Sequence, residues 1–196
     1  VLEENLPFTP TTITEGAFAA DTEWYLLRQR WNDHYWEYDD TDNNKVVKVK
    51  NGGYSIYEAK WLWCFTGNAI DGFKVYNKAT GATYSLDNSS PAKLVENNSK
   101  TWEIHASTHS FTANDVRFGL KRPNGEYANL QDNSLKSWSL DPGSTTNAIK
   151  VSEKYEEIAK RDGNKVSYIY ETAAALAADR FEMRPAVVRA VASHTL

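Results

Sequence analysis

The sequence predicts an all-β domain made of three similar units, followed by an α-helical C-terminal appendage. Between about residues 24 and 151, short runs of Val, Ile, Tyr, Phe and Trp alternate with polar residues, and clusters of Gly, Asn and Asp interrupt them. This pattern is typical of short strands joined by turns. Three segments of the region resemble one another, which indicates repeated structural units. Residues 1–23 hold two prolines and many threonines and predict an extended lead-in.

The three similar segments begin at Tyr25, Phe73 and Val116. Each has an apolar strand, a basic residue, a polar turn, a strand with an aromatic residue, and a pair of acids or amides. The basic residues are Arg30, Lys78 and Lys121; the aromatic residues are Trp36, Tyr84 and Tyr127; the pairs are Asp39–Asp40, Asp87–Asn88 and Asp132–Asn133. The third segment needs a one-residue insertion, so its register stays open.

A tryptophan closes each unit, at Trp63, Trp102 and Trp138, with an apolar residue two positions later. One unit cannot bury its apolar face alone, whereas three units packed around a pseudo-threefold axis can. We therefore predict that these three tryptophans lie in the core, together with Trp24 at the start of the first strand.

From Ser152 onward the pattern becomes helical. Ser152 is a candidate N-cap, acidic residues fill the first turns and Gly163 is a candidate terminator. An Ala-rich stretch with helical spacing follows. Residues 152–196 are predicted to be a helical tail, a linker or the start of a following domain, which leaves 24–151 as the β domain.

Composition argues against several classes of function. The formal net charge is −4 without a basic block, so nucleic acid is not expected as a partner. No apolar run approaches the ~20 residues that span a membrane, so membrane insertion is not expected. The single cysteine, Cys64, lies between Trp63 and Phe65 and is predicted to be a small buried side chain.

Catalytic and metal-binding motifs are weak. The acids lie mostly in predicted turns, and no nucleophile elbow or phosphate loop is present. His105 and His109 follow a strand tryptophan in a Ser/Thr-rich stretch and are predicted to be strand or loop residues. Asp40, Asp42 and Asn44 alternate as in a calcium loop, but its glycine and bidentate glutamate are missing. We expect no enzymatic activity, no cofactor and at most a weak calcium ion.

The three-unit region resembles a β-trefoil, the fold of ricin-B-type lectins. The phrases "NLPFTPTTITEGAFAADTEWYLL" and "LWCFTGNAIDGFKVYNKATGA" also resemble trefoil-like accessory modules of secreted glycan-processing enzymes from gut-dwelling bacteria, including sialidase-type hydrolases. The resemblance covers about residues 5–150. One departure is that Trp61, Lys100 or Lys136 stands two residues before the closing tryptophan, where the lectins often have Gln.

This resemblance implies a non-catalytic carbohydrate-binding, lectin-like module that is secreted, periplasmic or on the surface of a bacterium. Its partners would be glycans and a neighbouring catalytic domain. Sugar rings need an aromatic platform and side chains that donate and accept hydrogen bonds. The first hairpin is richest in both, so we predict stacking by Trp31 or Trp36 and hydrogen bonds from Asp33, Asp39 and Asp40. By fold analogy the other units would bind at Tyr84, Asp87 and Asn88, and at Tyr127, Asp132 and Asn133.

Two alternatives stay open. A purely structural spacer of a glycoside hydrolase would bury its aromatic residues. A protein-binding trefoil of the protease-inhibitor type would need a protruding rigid loop, for which the candidate is "NKVVKVKNGGYSIYEAK", the long insertion of the first repeat.

Overall fold

The structure, a computed structural model, describes residues 6–30, 34–109 and 116–155. Fourteen strands lie in these ranges: β1 (Ile13–Thr14), β2 (Ala17–Phe18), β3 (Tyr25–Gln29), β4 (His34–Tyr38), β5 (Val47–Asn51), β6 (Trp63–Asn68), β7 (Gly72–Asn77), β8 (Tyr84–Leu86), β9 (Leu94–Glu96), β10 (Glu103–Ala106), β11 (Arg117–Lys121), β12 (Tyr127–Gln131), β13 (Ser134–Trp138) and β14 (Thr146–Lys150). Ala59–Trp61 and Pro142–Ser144 form short 3-10 helices, and residues 151–155 are α-helical.

Six strands close a barrel, which leaves it without a free edge. Strand β3 pairs with β6 and β14, β6 with β7, and β11 with β10 and β14, all antiparallel. A bridge between Phe73 and Trp102 joins β7 to the start of β10 and completes the ring. The hairpins β4–β5, β8–β9 and β12–β13 form a cap over one end. Hydrogen bonds such as Val49 N to Asn133 O (2.7 Å) and Ala92 N to Leu135 O (2.8 Å) join them.

Strand pairing defines the three equivalent units. Tyr25 pairs with Trp63, and Phe118 pairs with Thr146, as Phe73 bridges to Trp102. The third unit therefore starts at Phe118, two residues later than predicted, and a threonine takes its tryptophan position.

The prediction that three closing tryptophans are core residues is confirmed for two of them. Trp63 and Trp102 are 0% and 1% exposed. It is wrong for Trp138, which ends β13 in the cap and is 55% exposed. Trp24 is half-buried and packs against a second apolar cluster on the outside of the barrel. Cys64 is buried as predicted, and burial raises the pKa of its thiol.

Hydrogen bonds pair the indole N–H groups of the buried core tryptophans, as burial requires. Trp63 Nε1 donates to the carbonyl of Trp36 at 3.1 Å, and Trp102 makes the equivalent bond to Leu86. In the third unit the Thr146 hydroxyl instead donates to Gln29 Oε1 at 2.6 Å. The threonine hydroxyl thus makes a buried hydrogen bond at the position where the other two units have a tryptophan indole.

Arg122 holds the cap onto the barrel. It is 2% exposed and donates to the carbonyls of Asn88 (3.0 Å), Ser89 (2.9 Å) and Lys136 (3.1 Å). Its guanidinium lies 4.7 Å from the ring centroid of Trp102. Burial lowers the pKa of Arg122 to about 10, so the group stays charged at neutral pH and binds these carbonyls as a cation.

The lead-in is part of the core. Phe8 is 4% exposed and stacks on Phe65 with ring centroids 3.7 Å apart. Its edges meet Phe73 and Phe118, the first apolar residues of the second and third units. The predicted extended segment therefore fills the barrel end opposite the cap.

The first-repeat insertion packs on the outside of the barrel. Ile56 and Leu62, 2% and 0% exposed, join Leu26, Val151 and Tyr155 in the second apolar cluster. Within the predicted protruding loop, residues 44–60, Ile56 is anchored on this cluster, whereas residues 50–54, 57 and 58 are exposed. Residue 151 starts the helix directly after β14. The Ser152 hydroxyl donates to Glu23 Oε1 at 2.8 Å, so its predicted role as N-cap is wrong.

Candidate functional site

The first hairpin does not form the predicted stacking surface in the part that the structure describes. Trp31 and Asp33 lie outside the described residues. Trp36 is 0% exposed and donates from Nε1 to Gln29 Oε1, so its predicted stacking role does not fit this position. Asp40 is exposed. Asp39 Oδ1 accepts hydrogen bonds from the hydroxyl and backbone N–H of Thr41, which lower the pKa of Asp39 and fix a local turn.

The predicted residues of the second unit mainly hold its own loops. Asp87 Oδ1 accepts from Ser89 Oγ (2.6 Å) and from Lys93 N (3.0 Å). Asn88 Nδ2 donates to the carbonyl of Thr101 at 3.2 Å. Tyr84 is half-buried against the core. These contacts give Asp87 and Asn88 a structural role in the loop between β8 and β9.

Asp132 and Asn133 form the exposed turn between β12 and β13. Their φ angles are 52° and 57°, and the strands pair up to Gln131 and Ser134 on either side. Two residues with positive φ are the requirement of a type I′ hairpin turn, which Asp and Asn satisfy. Asp132 also accepts from Lys136 Nζ at 2.7 Å. The pair is accessible, but its presence is explained by the turn.

A different surface of the third unit combines aromatic and charged groups. Strand pairing aligns Trp138 with Tyr127, Tyr127 with Lys121, and Lys121 with Glu103. Side chains of directly paired residues lie on the same face of a sheet. These four residues therefore form one continuous line on the outer surface, named here the Trp138 row. Adjacent strands are about 4.8 Å apart, so the row is roughly 14 Å long.

The charged end of the row is an ordered cluster. Glu103 Oε2 lies 3.0 Å from His105 Nε2 and 3.8 Å from Lys121 Nζ. The hydrogen bond from His105, with a smaller contribution from Lys121, holds the pKa of Glu103 below its ordinary value. The Glu103 side chain is 63% exposed. An ionised, accessible carboxylate thus stands beside an ammonium group and an imidazole, and the three together donate and accept hydrogen bonds.

The aromatic end is positioned by a glycine. Gly119 pairs with His105, and a Cβ there would lie 2.8 Å from Tyr127 Cδ1 and 2.7 Å from Leu140 Cδ1. Absence of a side chain lets the Tyr127 ring lie against the strand. The ring then contacts His105 edge-on, with centroids 6.0 Å apart. Trp138 beyond it keeps 55% of its surface in water.

Two other kinds of site are less well supported. Among the described residues, no group of three His, Cys, Asp or Glu side chains is arranged to hold a metal ion. A trough of about 470 Å³ lies between the lead-in and the β6–β7 hairpin. Its Lys74 Nζ already donates to Asn98 O at 2.8 Å, and its Tyr76 ring is 7% exposed, so the trough offers no stacking face.

No helix in the described ranges meets the length and hydropathy of a membrane span.

Comparison with known proteins identifies the fold. The structure of SeviL bound to asialo-GM1 saccharide superposes with a TM-score of 0.51 at 10% identity, covering 66% of this chain and 98% of that chain. A mosquitocidal holotoxin gives 0.51 at 11% identity over 66% of this chain and 17% of its own. The fold is a β-trefoil. The BEL β-trefoil is also similar (TM-score 0.49, 11% identity, 67% and 95% coverage). Scans of protein-family models and of curated proteins gave no match.

The structure separates most of the predicted sugar-binding residues from the Trp138 row. Of the predicted sugar-binding residues, only Tyr127 lies in the Trp138 row. Trp138 was assigned to the core because its spacing imitates that of the other closing tryptophans. The signal that distinguishes it follows at once: "DPG", residues 141–143, predicts a turn rather than a continuing apolar strand.

Proposed function

We propose that this chain is a non-catalytic carbohydrate-binding module and that the Trp138 row is its glycan site. The observation that carries the proposal is the exposed indole of Trp138, in line with an ionised Glu103 and with Lys121. A sugar ring offers C–H groups to an aromatic face and hydroxyls to charged side chains. Support by fold analogy comes from SeviL, solved with a bound saccharide.

The dimensions of the row favour an oligosaccharide. Its length of roughly 14 Å, about three strand spacings, exceeds one pyranose ring. One sugar would stack on Trp138, and the hydroxyls of a neighbouring sugar would form hydrogen bonds with Glu103 and Lys121. A vicinal diol fits this pair well, because one hydroxyl donates to the carboxylate while the other accepts from the ammonium. A shallow surface buries little of the ligand, so we expect weak affinity that gains from multivalency.

The biological setting follows the sequence resemblance. The module would belong to a secreted, periplasmic or cell-surface bacterial protein and would hold a neighbouring catalytic domain near its glycan substrate. Fractionation of the source cells with an antibody against the 1–196 chain tests this setting. Detection in the cytosol alone would contradict it.

A glycan array tests the binding site. The 1–196 chain is screened in calcium and again in EDTA, as wild type, Trp138→Ala and Tyr54→Ala. Tyr54 is the matched control because it is also an exposed aromatic residue, at 36%, but lies in the insertion. We expect Trp138→Ala to lose at least about tenfold in affinity, equivalent to about 1.4 kcal/mol, and Tyr54→Ala to match wild type.

Three results would contradict this assignment. Binding that survives Trp138→Ala but is abolished by Trp31→Ala would place the site in the first hairpin, as the sequence first predicted. Loss of binding in EDTA would require a metal ion. A blank array at high protein concentration would favour the structural spacer, which the packing of Ile56 into the second apolar cluster also supports.

A further inference from the structure

The insertion of the first repeat, together with the residue directly after it, carries an aromatic ledge whose role the glycan site does not explain. The ledge consists of Tyr54, Tyr57 and Trp61. Tyr54 and Tyr57 are 36% and 39% exposed, and Trp61 is half-buried against the second apolar cluster. Tyr54 packs on Tyr35 with ring centroids 4.6 Å apart, which ties the ledge to strand β4 of the cap. An exposed aromatic surface on a fixed support is suited to receive another segment.

The start of the C-terminal helix already occupies one side of this ledge. Val151 and Tyr155 are each 5% exposed, and the backbone N–H of Val151 donates to Trp24 O at 2.9 Å. The Tyr155 ring meets Tyr57 edge-on at 5.6 Å, and its hydroxyl donates to Ile56 O at 3.4 Å. One face of the first helical turn is thus seated on the insertion.

The sequence continues this face for one more turn. A helix returns to the same side every three to four residues, so Val151 and Tyr155 are followed by Ile158 and Ala159. The intervening positions 156, 157, 160 and 161 are Glu, Glu, Lys and Arg, as expected for a solvent side. Asp162–Gly163 then provides a stop.

We propose that the aromatic ledge is the docking surface for the C-terminal segment of this same chain. On this proposal the segment that follows Tyr155 keeps the helical spacing of its sequence and brings Ile158 against Tyr57 and Trp61. The trefoil and the element that follows it then move as one body. This inference is independent of glycan binding, because none of the ledge or helix residues belongs to the Trp138 row.

Hydrogen exchange of the full 1–196 chain tests the docking. A helix of about twelve residues is marginal in water by itself, so protection of residues 156–162 requires tertiary contact. We expect these amides to exchange at least about tenfold more slowly in the chain than in the free 151–163 peptide. Amides of β3 and β6 in the same measurement report that the barrel is folded.

Alanine substitutions identify the contact. Alanine is the best helix former, so Ile158→Ala removes the side chain without penalising the helix, and Glu157→Ala is its matched control on the solvent side. We expect Ile158→Ala and Tyr57→Ala each to abolish the protection of residues 156–162, and Glu157→Ala to keep it. Peptide-like exchange in the wild-type chain, or protection that survives either of the first two substitutions, would overturn the proposal.

Discussion

Trp102 and Trp138 occupy matching places in the sequence repeats but opposite environments in the structure, so truncating each to alanine gives opposite predictions. Trp102 is 1% exposed, donates to Leu86 O at 3.1 Å and lies under the guanidinium of Arg122. Removal of a buried tryptophan leaves a cavity and costs about 3–5 kcal/mol. Trp138 keeps 55% of its surface exposed. Its loss should cost about 1 kcal/mol or less, as for other surface positions.

Urea denaturation followed by circular dichroism measures the difference. With equal m-values, the midpoint shift reports the change in the free energy of unfolding. We expect Trp102→Ala to lower the midpoint far more than Trp138→Ala, with a gap of about 2–4 kcal/mol between them. Equal destabilisation would refute the assignment of Trp138 to the surface and with it the proposed glycan site.

Four further predictions follow from other contacts. Arg122→Met should lower the free energy of unfolding in urea by about 3–5 kcal/mol, because several buried carbonyls lose a charged donor. Arg122→Lys should restore only part of that stability, and a Met variant as stable as wild type would contradict this role. Phe8→Ala should cost about 3–5 kcal/mol, whereas a dispensable lead-in would give no change. As pH falls through the depressed pKa of Glu103 its carboxylate is neutralised, so glycan affinity should fall there, and His105→Ala should move that fall to higher pH; an NMR titration checks both. Gly119→Ala should displace the ring above it and weaken glycan binding in the array, and unchanged affinity would argue against the row.

The fold could be predicted from the sequence because the units of a trefoil repeat the same strand and tryptophan pattern. Tyr25 and Phe73 begin their units without a gap, and the tryptophans that pair with them are both buried. The third unit was harder. Its tryptophan position holds Thr146, while Trp138 stands eight residues earlier in a cap strand, so spacing alone gave the wrong register. A single sequence does not separate a core tryptophan from an exposed one at nearly the same interval.

The first hairpin carries aromatic side chains whose packing the sequence alone did not predict. Strand β4 is covered on both faces, with Trp36 in the barrel core and Tyr35 in the second cluster. Aromatic residues in excess of the other repeats therefore indicated a second packing surface, supplied by the insertion and the helix start. Those covering elements are distant in sequence, and only the folded chain brings them together.

The barrel end that Phe8 fills also holds the start of the described lead-in and the start of the helix. Pro7 from the lead-in and Glu153 from the helix start line the same cavity of about 290 Å³, while the three cap hairpins lie at the far end. Neighbouring entry and exit points allow a unit to be spliced into a surface loop of a host protein with little separation of the loop's ends. In such an arrangement the cap would lie at the end of the domain away from the junction.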